Sequence, residues 1–290
     1  MRYVAQPGPV QADRIQWAEA RGRPVAFALE PGRRLLDTVH ERFAAEGFSS
    51  GVLTLQGGAL GPLAYVIPAL SPTGAHAAFY SDVIRPPGVS RIRQWAMTVG
   101  IREGAPFFHC HAFWTGPDGA LRGGHVLPDE TVIAATIDAT GMGLTGAAFA
   151  AEYDPETNFT LFGPIARRDS TAAQAGKRVF ALRLRPNQDF AGALETFCRE
   201  QGVEGARLHG GVGSIIGARF ADGRRVHPFA TEMALLRGRI GCSDGALSTE
   251  VDAALVDLTG EFFQGSLTRG DNPILMTLEL VLEPTDPGFA

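Results

Sequence analysis

The chain has 290 residues, of which 45% are hydrophobic and 20% charged, so it can bury the cores of two domains and whole-chain disorder is excluded. Its 26 Lys and Arg residues against 31 Asp and Glu residues give a net charge of −5, which excludes a whole-chain basic surface for nucleic acid. Three cysteines, no signal pattern at the N-terminus and no apolar run of membrane-spanning length predict a reduced, cytoplasmic protein without a membrane partner.

The first structured region is predicted to begin after a polar lead-in segment, residues 1–24. A strand is expected at 25–29. A helix should follow, because apolar residues recur at helical spacing from Leu35 to Phe43 and Gly47 suits the position after a helix end. Another strand, a glycine-rich turn and several short strands complete this region.

The same order of elements recurs in the second half of the chain. A strand is expected at 179–182, and Asp189 can cap a helix that ends at Gly202. A strand at 206–208 then leads into another glycine-rich stretch, followed by further strands. The recurrence predicts a duplicated fold.

The predicted fold is therefore of the α+β class, with two tandem domains that are each an antiparallel sheet with a single packed helix. Domain 1 is expected at residues 25–164 and domain 2 at residues 178–286. The segment 165–177 between them is rich in charged and small residues and is predicted to be a linker.

Three of the seven histidines fall in the stretch PFFHCHAFWTGPDGALRGGHV, at His109, His111 and His125. His109 and His111 share one face of a strand. The position of His125 depends on the hairpin register: a two-residue loop places it opposite Cys110, on the wrong face. A three-residue loop at 117–119 places it opposite His111, and the turn preferences of Pro and Gly favour this second register.

Three imidazoles on adjacent strands predict a His₃ metal site with an open position, the pattern of catalytic zinc. Other divalent transition metals that accept nitrogen ligands are compatible with it. The simpler alternative is a strand face whose histidines bond only to backbone groups or water. Cys110 is predicted to lie in the core and not to be a ligand.

Several charged residues near the histidines are candidates for catalysis. Arg91, Arg93 and Arg102 precede the histidines, and one of them can bind a substrate carboxylate, although surface solvation explains them equally well. Arg93 is the arginine that we favour. Glu103 and Glu130 flank the histidine strands and are candidates for a fourth ligand or a general acid–base.

The order of elements, the His-x-His at 109–111, the hairpin and the Gly123-Gly124-His125 ending resemble the plant-and-prokaryote-conserved (PPC) family. The resemblance covers residues 25–140. A second region, residues 178–284, resembles a diverged copy of the same fold, and its stretch TEMALLRGRI resembles a strand of the family. The resemblance implies a single helix on an antiparallel sheet, a trimer, and DNA binding of the kind found in plant members. The architecture with a His₃ zinc is also similar to that of acetolactate decarboxylase.

The second copy lacks the histidines. A shift of 141 residues places Glu250, Asp252 and Ser266 on the three histidine positions. Two carboxylates and a hydroxyl can hold a hard cation weakly. We favour the alternative that this copy has lost its metal and kept its fold.

Two further motifs are weaker. The stretch 141–146 matches G-x-G-x-x-G, but Pro155 interrupts the helix that a dinucleotide site requires, so a flexible connection is favoured. Arg21-Gly22-Arg23-Pro24 matches the centre of an AT-hook without its flanking basic residues, so a polar turn is favoured.

The sequence thus predicts a metal-binding protein, with Zn²⁺ as the first choice, that acts on or senses a small acidic molecule. Whether it is an enzyme stays open. The alternatives are a DNA-associated regulatory protein, although duplex binding is expected to be weak, and a scaffold in which the metal only staples the sheet or subunits. A homo-oligomer is also predicted, with a trimer preferred, because the apolar segments 132–137 and 274–278 should seek other chains.

Overall fold

The computed structural model of the chain describes residues 1–167 and 176–286, which form a mostly antiparallel β structure with two helices. The central part of the predicted linker, 168–175, lies outside the described residues. The elements are β1 (Ile15–Leu29), α1 (Leu35–Ala45), β2 (Gly51–Gln56), β3 (Ala59–Leu60), β4 (Tyr65–Val66), β5 (Pro68–Ala69), β6 (Phe79–Tyr80), β7 (Ser90–Arg102), β8 (Ala105–Thr115), β9 (Leu121–Val126), β10 (Ile133–Ala135), β11 (Ile137–Thr145), β12 (Ala147–Asp154), β13 (Phe159–Ala166), β14 (Lys177–Leu184), α2 (Phe190–Gln201), β15 (Ala206–Arg219), β16 (Arg225–Ser243), β17 (Ala246–Asp257), β18 (Phe262–Ser266) and β19 (Ile274–Pro284).

The first half of the chain forms antiparallel strands in the order β1–β11–β2–β7–β8–β9. Helix α1 covers one face of them, as the apolar spacing predicts, and buries Leu35, Val39 and Phe43. The same core contains Trp95 and Cys110, both fully buried, which confirms the predicted core position of that cysteine.

The second half of the chain repeats this arrangement, in the order β14–β19–β15–β16–β17–β18. Helix α2 covers one face and buries Phe190, Leu194 and Phe197. The predicted cap is confirmed, because the Asp189 carboxylate accepts a hydrogen bond from the Gly192 backbone N–H at 2.9 Å. The helix ends at Gly202, whose φ of 64° is left-handed.

The helix-free faces of the two sets of strands pack against each other. Ala96 and Phe113 of the first half form one buried cluster with Val212, Ala234 and Ala254 of the second half. Strand side chains alternate between the two faces, so each central strand places one set of residues under its own helix and the other set between the halves. The surface between the halves is therefore buried.

Strand β1 joins the two halves. Its residues Ile15 to Gly22 pair with β14, and Arg21 to Leu29 pair with β11. The strand thus begins ten residues earlier than the predicted 25–29, within the predicted lead-in. The turn predicted at Arg21 and Arg23 is wrong: Arg21 has strand partners on both sides, so the AT-hook-like residues cannot enter a minor groove unless the sheet opens.

Two other expectations are corrected. The G-x-G-x-x-G stretch is not a flexible connection, because 141–145 belong to β11 and another strand follows Gly146. The apolar segment 274–278 is not an open edge, because Ile274 and Leu278 pair with β15 and both are fully buried. Ile133 and Ile137 in the other segment are also buried within the chain. Among residues 1–167 and 176–286, no helix has both the length and the apolar character needed to cross a membrane.

Candidate metal centre

The β8–β9 hairpin has the register predicted from its turn chemistry. The Gly116 backbone N–H donates to the Ala120 carbonyl at 2.9 Å, and Gly119 has a left-handed φ of 80°. This three-residue loop sets His111 directly opposite His125. The turn therefore determines that His125 lies on the same face of the hairpin as His109 and His111.

The three histidines converge on the helix-free face of β8 and β9. The His109 and His111 ring centroids are 4.8 Å apart, and His125 lies 5.0 and 5.4 Å from these two rings. One ligand atom from each of the three lies within 4.8 Å of the others. Within the described ranges this is the only group of three or more His, Cys, Asp or Glu residues that can hold one metal ion.

The second half of the chain supplies hydrogen-bond partners for two of these rings. His109 Nδ1 lies 2.7 Å from Glu279 Oε2, and His111 Nδ1 lies 2.9 Å from the Met233 carbonyl oxygen. Both partners are acceptors, so each Nδ1 carries the proton and donates it. In the neutral ring, each Nε2 then presents a lone pair.

The two lone pairs face each other. His109 Nε2 and His111 Nε2 are 3.2 Å apart, so in the neutral rings their lone pairs repel each other, and a proton on one nitrogen or a metal ion bound to both removes this repulsion. A tetrahedral ion with metal–nitrogen distances of 2.0–2.1 Å separates its ligand nitrogens by about 3.3 Å. His125 contributes a buried Nδ1 that has no hydrogen-bond partner among the described residues. The donor set therefore fits a transition metal bound by three imidazoles.

Glu232 places a carboxylate beside the cluster. Its Oε1 lies 3.7 Å from His111 Nε2, and its Oε2 is buried and has no hydrogen-bond partner within residues 1–167 and 176–286. Burial raises the pKa of Glu232 well above its usual range, against the opposing effect of a hydrogen bond from the His125 backbone. The orphaned oxygen makes Glu232 a candidate fourth ligand.

Burial also acts on the imidazoles. It lowers the pKa of His111 and of His125 well below the usual range, and the neighbouring His109 lowers both further. These two rings are thus held in the neutral form, which is the form that binds metals.

Two spaces adjoin the cluster. A narrow one of about 50 Å³ is lined by His111, Glu232 and Thr277 among others. A larger one of about 440 Å³ is lined by His109, His125, Arg102 and several aromatic side chains. The candidate metal centre is therefore open to a cavity large enough for a small molecule.

The charged residues that the sequence favoured for catalysis have other described contacts. Arg93 is exposed, and its Nε donates to Thr115 Oγ1 at 3.0 Å. Glu130 is exposed and pairs with Arg85 at 2.6 Å. Glu103 lies in the turn between β7 and β8, where its φ is 52°. None of the three lines either space beside the histidines.

The histidine-free hairpin β17–β18 has the same register, since Asp252 pairs with Ser266. Its carboxylates are neutralised by arginines: Asp252 pairs with Arg237, and Glu250 with Arg239, both at 2.8 Å. The three residues are therefore bound in surface ion pairs and hydrogen bonds.

The second half of the chain matches a known protein family. A family model described as the Plants and Prokaryotes Conserved (PCC) domain, the family also abbreviated PPC, matches residues 171–286. A PCC domain is thus found over the predicted second domain, the one that lacks the three histidines. No curated protein matches the chain.

Solved structures with a similar fold come from three microorganisms among others. A plant- and prokaryote-conserved (PPC) protein from Pyrococcus horikoshii is 18% identical, with a TM-score of 0.41 over 52% of this chain and 97% of that one. A metal-containing protein from Archaeoglobus fulgidus is 20% identical, with a TM-score of 0.39 over 49% and 94%. A protein from Ralstonia eutropha designated a DNA-binding candidate is 16% identical, with a TM-score of 0.35 over 48% and 89%.

Proposed function

We propose that the chain binds one divalent transition metal, with Zn²⁺ as the first choice, at His109, His111 and His125, and that it acts on or senses a small acidic molecule. One observation carries the metal proposal: two imidazole nitrogens with fixed lone pairs lie 3.2 Å apart. A bound metal supplies a Lewis acid at the wall of the larger cavity. Glu279 orients the His109 ring, and Arg102 offers a cation for an acidic group.

We also propose that the chain consists of two tandem domains of the PCC type, at 25–164 and 178–286. The equal strand orders of the two halves and the equal hairpin registers support this division. In this proposal the three histidine ligands all belong to the first domain, and the second supplies the groups that orient them and the candidate fourth ligand, Glu232. The loss of histidines from the second hairpin then leaves one metal per chain.

Metal content tests the proposal directly. The purified chain is expected to hold close to one zinc or other transition-metal ion, and His111→Ala is expected to lose most of it, because two ligands bind far more weakly than three. The measurement is elemental analysis after exhaustive dialysis. His125→Gln, which keeps a polar side chain of similar size, should give the same loss.

The matched control is His209→Ala. His209 is also a half-buried strand histidine with a carboxylate partner, Glu283 at 2.8 Å, but it is not part of the cluster. It should leave the metal content unchanged. Equal metal in the wild type and in both cluster variants would reject the site.

A structural staple is the second candidate function. It is supported by the position of the cluster between the halves: His109 belongs to β8, whereas its partner Glu279 belongs to β19. A staple would be closed to added ligands, whereas the proposed function requires a metal that a small molecule can reach.

Self-association is the remaining part of the proposal. We expect a homotrimer on the family resemblance alone, because the large apolar residues of the two segments that first suggested it, Ile133, Ile137, Ile274 and Leu278 among them, are buried within the chain. Light scattering coupled to size exclusion should then give about three times the chain mass of 30.8 kDa. A mass of one chain that does not change on dilution would show that the two halves bury each other's apolar faces without a second chain.

A further inference from the structure

The larger cavity beside the metal centre has an aromatic wall. Six of its lining residues carry rings in addition to the ligands His109 and His125. They are His76, Phe79, Tyr80, Phe107, Phe159 and Phe162. Aromatic walls favour flat apolar ligands, since each edge-to-face or offset ring pair adds to the energy of burial.

The rings form a continuous series that begins at the histidines. The Tyr80 ring centroid lies 5.2 Å from that of His125 and 6.1 Å from that of Phe159. Phe159 in turn lies 4.5 Å from His76 and 5.7 Å from Phe79. A flat molecule in the cavity would therefore contact ring surfaces along its length, from the metal centre outwards.

The cavity has one cationic residue. Arg102 is exposed and lines the cavity, so it lies where the cavity meets solvent, and its guanidinium carbon sits 5.3 Å from the Phe107 ring centroid. Among the described lining residues there is one arginine and there are no carboxylates. A negatively charged group is thus favoured at this end.

The strand geometry separates the cation from the metal centre. Phe107 and His109 are alternate residues of β8, so they share a face and lie about 7 Å apart. The guanidinium lies near the Phe107 ring, and Arg102 pairs with Ala105, four residues before His109, so the cation is displaced from the histidines along β8. One benzene ring with substituents at its two ends can span such a separation.

We propose that this cavity binds an aromatic acid whose carboxylate pairs with Arg102, whose ring packs against Phe159 and Tyr80, and whose oxygen substituent at the far end faces the metal. The inference rests on the proposed function and narrows its small acidic molecule to this class. It goes beyond the metal site, because the selectivity for a ring and a carboxylate comes from residues that are not metal ligands.

The test is calorimetric titration with 4-hydroxybenzoate, which has a planar ring between a carboxylate and an oxygen. It should bind at least fivefold more tightly than 4-hydroxybenzyl alcohol, which lacks the carboxylate, and than trans-4-hydroxycyclohexanecarboxylate, which lacks the planar ring. In the cobalt-substituted protein, 4-hydroxybenzoate should also change the visible absorption of the metal. A structural metal that is closed to added ligands would show no such change.

Two variants separate the contributions. Arg102→Gln should weaken the binding of 4-hydroxybenzoate at least fivefold and leave the affinity for 4-hydroxybenzyl alcohol unchanged. Phe159→Leu should weaken the binding of 4-hydroxybenzoate about two- to tenfold and leave the affinity for the cyclohexane acid nearly unchanged. The matched control is Arg91→Gln, an exposed arginine outside the cavity lining, which should have no effect.

The same titrations on metal-free protein distinguish this inference from the proposed function, because Arg102 and Phe159 act without the metal. A protein that binds metal but shows no preference for the aromatic acid overturns the inference and leaves the metal proposal standing. A protein that binds no metal but retains the preference overturns the metal proposal alone. Equal losses of 4-hydroxybenzoate binding in Arg102→Gln and in the control Arg91→Gln would overturn the assigned position of the carboxylate.

Discussion

Replacing Asp154 with alanine is expected to lower the free energy of unfolding by about 3–5 kcal/mol, the typical effect of removing one partner from a buried ion pair. Asp154 and Arg183 are only 2% and 3% exposed, and the Arg183 guanidinium donates to the Asp154 carboxylate. Arg185 donates to the same carboxylate at 2.6 Å. The variant would leave a buried guanidinium without its partner.

The matched control is Asp118→Ala. Asp118 also forms a close pair with an arginine, Arg122 at 2.7 Å, but its side chain is 57% exposed. Water replaces such a partner, so the expected loss is below about 1 kcal/mol. Urea unfolding of both variants measures the contrast, and losses of equal size would contradict it.

The buried pair of Asp154 and Arg183 should also make the free energy of unfolding depend on pH. Burial raises the pKa of Asp154, but Arg183, a hydrogen bond from the Glu156 backbone N–H and Arg185 together outweigh it, so that the pKa lies below its usual range. The stabilisation is therefore present above the unfolded-state pKa of about 4 and is lost as the pH falls through the lower folded-state pKa. Asp154→Asn should lack this component, which a comparison of urea midpoints between pH 7 and pH 3 measures.

Local patterns predicted the parts of the fold that depend on neighbouring residues. Both helices are confirmed, because their ends are specified by apolar spacing and by glycines such as Gly202. The pairing of His111 with His125 is confirmed for the same reason, since a three-residue turn determines it. These features need no information about distant parts of the chain.

Features that depend on distant strands were not predicted. The segment 15–24 mixes polar and apolar residues and carries little strand signal, yet it forms part of β1 because β14 pairs with its first eight residues and β11 with its last four. Similarly, the local pattern at 141–146 predicts a connection, although pairing with strands from elsewhere in the chain holds most of this segment in an extended strand. Tertiary hydrogen bonds override local preference in both cases.

The carboxylates of the metal centre were missed for a related reason. In β19, Leu278, Leu280 and Leu282 belong to the core under α2, and Glu279 and Glu283 alternate with them on the other face. Such a pattern is typical of a strand with one solvent-exposed face, so it gives no sign of a buried carboxylate. Only the packing of the two halves shows that Glu279 meets His109 and that Glu232 lies beside His111.

Replacing Glu279 with glutamine is expected to weaken metal binding about 10- to 100-fold while the fold is retained. The Glu279 carboxylate is fully buried and accepts hydrogen bonds from His109 at 2.7 Å and from Thr277 at 3.1 Å. Glutamine keeps the size and an accepting oxygen but removes the negative charge. That charge makes the far nitrogen of the His109 ring a stronger donor to a metal and fixes the ring orientation.

The chain offers a close control for this change, Glu283→Gln. Glu283 lies on the same face of β19, is also buried, and pairs with His209 at 2.8 Å. Both variants therefore remove one negative charge from a buried carboxylate–imidazole pair on one strand. Competition with a chromophoric chelator gives the metal affinity of each. Glu279→Gln should release metal at a far lower chelator concentration than Glu283→Gln, which should match the wild type. Equal affinities in the two variants would show that Glu279 stabilises the interface between the halves without acting on a metal, and the orienting role assigned to it would be wrong.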